Sequence, residues 1–397
     1  MNASRRRRTA AAVILLAALL AAGCGSAPAT PPPATQAAPP APSLNTSLDT
    51  SAGTWAAVVM GGSAAQDNAF WQLFIRPAGS TRWRLVTPPG TADNGGLVLA
   101  GGSGPALVTG FRPSQDLTFT PLIQTVDGGQ AWSSLDPLDA ALASTPDALA
   151  VNPAGGQLLA LAGGTVQAGG TVQAGGTAQA AATGGTTWHT LASPRALAAT
   201  PAGRRCGLTA LTAAAYTPAG IPVLAGTCTR PGTVGIFTAG NATWQAAGPA
   251  LPALASQRIT VARLTRTAQG LTALLTAGSG PGASLLAAWS ADGSHWTASP
   301  PLALHGATVT SASFGPGGTT AIITTANHGQ SITPGGSWEP LPALPSGTAA
   351  LAPGAGGTTD ALAVHGGTLT IWLHAPGATT WTTSQVINVP IPYGSSG

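Results

Sequence analysis

The stretch Thr125-Val126-Asp127-Gly128-Gly129-Gln130-Ala131-Trp132 decides the fold. A short carboxylate followed by two glycines is the chemistry of a tight turn. The Asp side chain accepts backbone N–H groups, and Gly takes the positive φ that a side chain resists. The tryptophan just past the turn is a large apolar group suited to filling space between packed sheets. Upstream lie three short apolar runs, GLVLAGG, ALVTGF and PLIQTV, and downstream AWSSL. The unit therefore reads as strand A, strand B, strand C, the glycine turn, and strand D opening at Trp132.

The same turn recurs along the chain. Ser290-Ala291-Asp292-Gly293-Ser294-His295-Trp296 is a version one residue shorter. Trp83, Trp188, Trp244, Trp338 and Trp381 follow Gly- or Ser-rich turns that lack the Asp. The tryptophans are spaced about 40–55 residues apart, the length of one four-stranded propeller blade. The expected fold is all-β: a seven-bladed β-propeller of four-stranded antiparallel blades over residues 53–393. Apolar runs such as Trp55–Met60, Leu97–Ala100, Leu158–Ala162, Leu271–Thr276 and Thr320–Thr324 are too short for helices and suit strands. A ring must close, so one chain end is expected to complete a blade built mostly by the other. A tandem hexapeptide, GGTVQA-GGTVQA-GGTAQA over residues 163–180, is read as a loop expansion between strands B and C of the third unit, the alternative being an extra β hairpin.

The turn resembles the Asp-box, or BNR, repeat, Ser/Thr-x-Asp-x-Gly-x-Thr-Trp, through Asp127, Gly129 and Trp132 and again through Asp292 and Trp296. The resemblance implies a propeller related to sialidases, glycosidase-like lectins and photosystem-assembly-type propellers. It is specific for fold and weak for function, and both aspartates read as structural turn residues. For a sialidase it would further imply an arginine trio, a Tyr nucleophile activated by a Glu, and an Asp acid/base. This chain holds two tyrosines, Tyr216 before the A–B turn of the fourth unit and Tyr393 in the tail. Its sole Glu, Glu339, follows Trp338 on an outer strand. Ile75-Arg76-Pro77 echoes the family's Arg-Ile-Pro signature in the wrong order. The expectation is no catalysis.

The start of the chain carries an address. Arg5–Arg8 precede an apolar run and then Ala21-Ala22-Gly23-Cys24, the layout of a secretory signal. The ending resembles a bacterial lipobox, with Cys24 as the lipidated residue; the alternative is an ordinary signal with an incidental Cys. The expected domains are a signal helix over 1–23, a disordered Pro/Ala/Thr-rich tether over 24–52, and the propeller. The expected location is the extracytoplasmic face of the cell membrane, lipid-anchored. The strong Ala/Gly/Thr bias, with every basic residue an Arg, suggests a high-GC bacterium. In an oxidising compartment, Cys206, expected to begin strand A of the fourth unit, and Cys228, expected to end its strand B, form an even pair that favours a disulfide, the alternative being two buried thiols.

Composition excludes several classes. Only 7% of residues are charged while 44% are hydrophobic, so a charge-driven disordered chain is excluded. Gly (54) and Pro (35) abound, against a helical bundle. The formal charge of +4 is that of the four signal arginines; beyond them the signs balance, which leaves no excess charge for nucleic acid. Six scattered histidines offer no metal cluster, and no cofactor motif appears. Loop charge is uneven. The connectors of the first three units carry Asp67, Asp93, Asp116, Asp136, Asp139 and Asp147, whereas Arg195, Arg204, Arg205, Arg230 and Arg258 gather around the fourth. Those arginines are the candidate ligand-binding residues, facing a cell-envelope protein or polysaccharide. A monomer is expected. The rival readings are a sialidase-like glycoside hydrolase and a purely structural scaffold.

Overall fold

The computed structural model describes residues 45–61, 70–88, 97–102, 104–111, 122–134, 146–153, 157–162, 165–171, 189–240 and 243–389. The signal segment, Cys24 and the residues up to 44 lie outside them. No helix among the described residues is long and apolar enough to cross a membrane.

The chain folds as a series of antiparallel meanders. The first comprises β1 (Asn45–Thr50), β2 (Gly53–Gly61), β3 (Phe70–Pro77) and β4 (Arg84–Leu85). The next is β5 (Leu97–Gly101), β6 (Leu107–Phe111), β7 (Leu122–Thr125) and β8 (Ser133–Ser134). Then come β9 (Ala148–Val151), β10 (Gln157–Ala162), β11 (Thr165–Thr171) and β12 (His189–Ala192). Two short helices follow, α1 (Pro194–Ala198) and α2 (Pro201–Cys206). They lead into β13 (Leu208–Tyr216), β14 (Pro222–Cys228), β15 (Gly235–Ala239) and β16 (Trp244–Ala246).

Beyond these, β17 (Ile259–Thr267), β18 (Gly270–Ala277), β19 (Ser284–Ser290) and β20 (Thr297–Ala298) form a meander. A bridge between Thr227 and Thr260 joins it to β14, and β21 (Leu302–Ala303) adds to β19. Next are β22 (Val309–Phe314), β23 (Thr320–Thr324), β24 (Gly329–Ile332) and β25 (Glu339–Pro340). The last meander is β26 (Thr348–Pro353), β27 (Thr359–His365), β28 (Thr368–His374) and β29 (Thr382–Asn388). The fold is thus mostly β, and the five apolar runs named from the sequence all lie in strands.

The core sits in the wedges between successive meanders. Leu99, Leu107 and Ile123 pack on Trp55, Leu73 and Ile75; Val108 and Leu122 pack on Leu149 and Leu158. Val223 and Ile236 meet Val261 and Leu275, and Leu274 and Leu285 meet Phe314 and Ile322. A further cluster joins Ala56, Val58, Phe74 and Trp83 to Ala350, Leu362 and Ile371, so the last meander packs on the first and the ring closes. Strands sandwiched in this way are buried on both faces. That is why β18 and β23 read as continuous apolar runs rather than alternating ones.

Four expectations need correction. Residues 45–52, read as tether, form β1 and its turn; β1 pairs antiparallel with β2 and parallel with β22. Its polar sequence, NTSLDT, hid it from a search for apolar runs. Closure does not exchange strands, because each end of the chain builds its own meander. The hexapeptide repeat itself supplies β11, since Thr and Val in GGTVQA suit a strand; residues 172–180 lie outside the described set. Finally, Cys206 does not begin β13 but ends α2, where Gly207 at φ 67° stops the helix.

Candidate functional site

The two Asp turns are built alike. Thr125 Oγ1 donates to Asp127 Oδ1 and accepts from Gly129 N, while Asp127 Oδ1 accepts from Gln130 N and Ala131 N. In the second turn Ser290 Oγ accepts from Gly293 N, and Asp292 Oδ1 from Ser294 N and His295 N. Partial burial pushes the Asp127 pKa up, but bonds from Ala131, Thr125 and Gln130 outweigh it and hold the carboxyl below its usual range. Gly129 at φ 81° presses on Val86 of the preceding meander; a Cβ there would lie 2.8 Å from Val86 Cβ. Trp132 stands edge-on to Trp55, and Trp296, Trp338 and Trp381 likewise pack against apolar clusters shared with the meander before them. Asp127, Gly129, Trp132, Asp292 and Trp296 therefore dock turns onto neighbours. Asp127→Ala is expected to cost about 1 kcal/mol in a denaturation midpoint at pH 7. Because the folded pKa is depressed, that loss is complete above about pH 4 and vanishes on acidification.

Tyr216 is buried among Leu159, Leu224 and Phe237, and its hydroxyl lies 3.4 Å from Gln157 Oε1. Burial pushes its pKa up. Glu339 is exposed on β25. Among the described residues no tyrosine–glutamate pair of sialidase type forms. Nor do any three of the described His, Cys, Asp and Glu side chains form a metal cluster.

The five candidate arginines come together on one rim, at the ends of strands opposite the A–B turns. The corner is set by two caps. Ser193 Oγ accepts from Ala196 N, Thr200 Oγ1 accepts from Gly203 N, and Pro194 and Pro201 open the two helices. Arg195, Arg204 and Arg205 thus sit on α1 and α2, not on a loop, and all are exposed. Arg204 Nη1 donates to the Ala199 carbonyl and ties the helices together. Arg230 N donates to Cys206 O at 3.1 Å, and Gly232 N to Gln257 O at 2.8 Å, which brings exposed Arg230 and Arg258 to the same rim. Cys206 and Cys228 are disulfide-bonded, with Cα atoms 5.2 Å apart, and fasten α2 to the end of β14. Asp147 is exposed at the start of β9. Burial pulls the Arg263 pKa down to about 10, and the charge of Asp147 acts against that. Asp67, Asp93, Asp116, Asp136 and Asp139 lie outside the described residues. Cys206→Ser is expected to cost less than about 3 kcal/mol, since the β13–β14 ladder already closes that loop. Amide exchange should quicken at residues 201–207 more than in β14 itself.

A second feature lies at the ring axis, on the face of the A–B turns. It is a cavity of about 790 Å³ between the turns after β1, β5, β17, β22 and β26, and Asp49, Arg76 and Arg266 line it. The sequence points for ligand contacts to the arginines around the fourth unit, and it places Asp49 in the tether. Burial pushes Asp49 up to about 6, against the pull of Thr54 and Arg76. Arg76 Nη1 bonds Asp360 Oδ2 at 2.5 Å, and Trp83 Nε1 donates to the same oxygen at 2.8 Å. Arg76 therefore serves closure of the ring. Burial raises the Asp360 pKa, more than Arg76 and Trp83 lower it. The signal for these residues was faint: an acid within TDALAV and arginines within VARLTRT, each among apolar neighbours in a strand.

No family model matches the chain, and no curated protein matches it. Solved structures do. A Bacteroides uniformis structure that carries the name 6-phosphogluconolactonase shares 14% identity, covering 84% of this chain and 96% of its own, with a TM-score of 0.50. A Lactobacillus plantarum protein shares 11% identity, covering 85% and 96%, with a TM-score of 0.51. YCF48 from Cyanidioschyzon merolae aligns at 14% identity over 86% of this chain and 98% of its own, with a TM-score of 0.45. At such identities the likeness speaks to fold alone: the chain is β-propeller-like.

Proposed function

We propose that the chain is a lipid-anchored, extracytoplasmic, seven-bladed propeller of the Asp-box type that binds an anionic cell-envelope protein or polysaccharide without catalysis. The observation that carries this reading is the arginine rim: five exposed arginines lie on segments that meet at one disulfide-fastened corner. None of the five forms an ion pair with a described residue. Arginine forks match carboxylate and phosphate oxygens, and a rigid corner lowers the entropy lost on binding. The seven successive meanders among the described residues support seven blades, and the twin Asp turns support the Asp-box assignment. Cys24 is the proposed lipid site, at the extracytoplasmic face of the cell membrane, on a monomer.

The test is binding of the exported protein to immobilised polygalacturonate against neutral dextran at rising salt. Replacing Arg204, Arg205 and Arg230 with Ser is expected to weaken binding at least about tenfold and to flatten the salt slope. Equal binding to dextran, or an unaffected triple variant, overturns the rim assignment. Cys24→Ala should move the protein from the membrane fraction into the medium; unchanged fractionation refutes the anchor.

A further inference from the structure

We infer that the axial cavity is a binding site for a small hydroxylated organic anion, its anionic group held by Arg266 and a hydroxyl held by Asp49. Arg266 extends from β17, and its Nη2 donates to Gly102 O on the β5–β6 turn at 2.9 Å. Its Nε is buried and meets no acceptor among the described residues. Burial pulls its pKa down, and no carboxylate among the described residues offsets that. Asp49 lines the same cavity, but the charge it feels is that of Arg76, which is itself bound to Asp360. Arg266 is thus a half-buried cation without a counter-ion among the described residues, with an unfilled donor in the wall of a cavity. Such a group is costly unless an anion completes it, and the guanidinium fork fits the paired oxygens of a carboxylate or phosphate.

Asp49 sets the second half of the recognition. Its Oδ2 is buried and accepts no bond among the described residues. A carboxylate oxygen can only accept, so it calls for a donor on the ligand, and a hydroxyl supplies one without adding charge. Ser51, Gly104, Thr267 and Pro316 line other parts of the wall, with Leu48 and Phe314 beside them. The volume of about 790 Å³ falls in the range of small-molecule pockets, roughly 300–1,000 Å³. Bonding of Arg266 to Gly102 fixes the fork across two meanders before any ligand arrives. Arg258 precedes β17 and Thr267 ends it, so this site lies at the opposite end of that strand from the arginine rim. It does not depend on the reading of the rim.

The experiment is calorimetric titration of the exported protein with glucuronate, glucose 1-phosphate and glucose. One or both anionic sugars should bind, and glucose should bind at least about tenfold more weakly, about 1.4 kcal/mol. The anion preferred distinguishes a carboxylate ligand from a phosphate ligand. R266Q should lose at least about tenfold in affinity for the anionic sugar, and D49N should lose several-fold with the sugar's charge unchanged. Should R266Q fail to fold, R266K keeps the charge, loses the fork and should still weaken binding. The inference is overturned if neither anion binds, if glucose binds equally well, or if folded R266Q or R266K binds as the wild type does.

Discussion

Asp360→Ala is expected to destabilise the protein by about 3–5 kcal/mol, read as a lower denaturation midpoint. The substitution leaves Arg76 buried without its partner, and the Trp83 indole N–H loses its acceptor. Asp360 joins the last meander to the first: Arg76 and Trp83 come from β3 and the residue before β4, and Asp360 from β27. Gln385 of β29 reinforces the joint, accepting from Trp83 N and donating to Trp83 O. The raised Asp360 pKa shows that pairing does not repay its full desolvation. The double variant Arg76→Met with Asp360→Leu should therefore recover the part of the loss due to the orphaned charge, while the Trp83 N–H remains without its acceptor. A double variant no better than Asp360→Ala alone would mean that the joint depends on the ion pair itself rather than on the absence of orphaned charge.

Trp55→Ala is expected to cost a similar amount, about 3–5 kcal/mol, for a different reason. Trp55 is fully buried on β2 and fills the wedge between the first two meanders. Its ring meets Trp132 edge-on with centroids 6.4 Å apart, and its Nε1 donates to Thr50 Oγ1 at 2.9 Å. Alanine leaves a void that the turn bearing Asp127 cannot follow, because Gly129 already rests on Val86. Trp55→Phe should retain most of the stability and separate loss of volume from loss of the hydrogen bond. If Trp55→Ala melts within a degree or two of wild type, the wedge is not where the fold draws its stability.

Much of this architecture was legible from residue types alone. β10, β18 and β23 announce themselves because burial on both faces demands unbroken apolar runs. The turns announce themselves because only a few residues satisfy their hydrogen bonds. β1 did not, since an innermost strand bordering the axial cavity is free to be polar, and NTSLDT follows directly on a Pro- and Ala-rich run with no apolar stretch to mark its start. The helices α1 and α2 are five and six residues long, too short for periodicity; only the Ser193-Pro194 and Thr200-Pro201 pairs mark them. The axial site was invisible for a further reason. Arg76 and Asp360 are separated by 284 positions, and nothing local to either names its partner.

The placement of β1 has a mechanical consequence. A load applied to the chain ahead of residue 45 enters the ring at this strand, which is bonded to β2 on one side and β22 on the other. Force along the strand shears both ladders together instead of peeling one bond at a time. Tension from the N-terminal side is thereby spread at once into two meanders near the centre of the ring, and the exposed outer strands β4 and β25 bear none of it first.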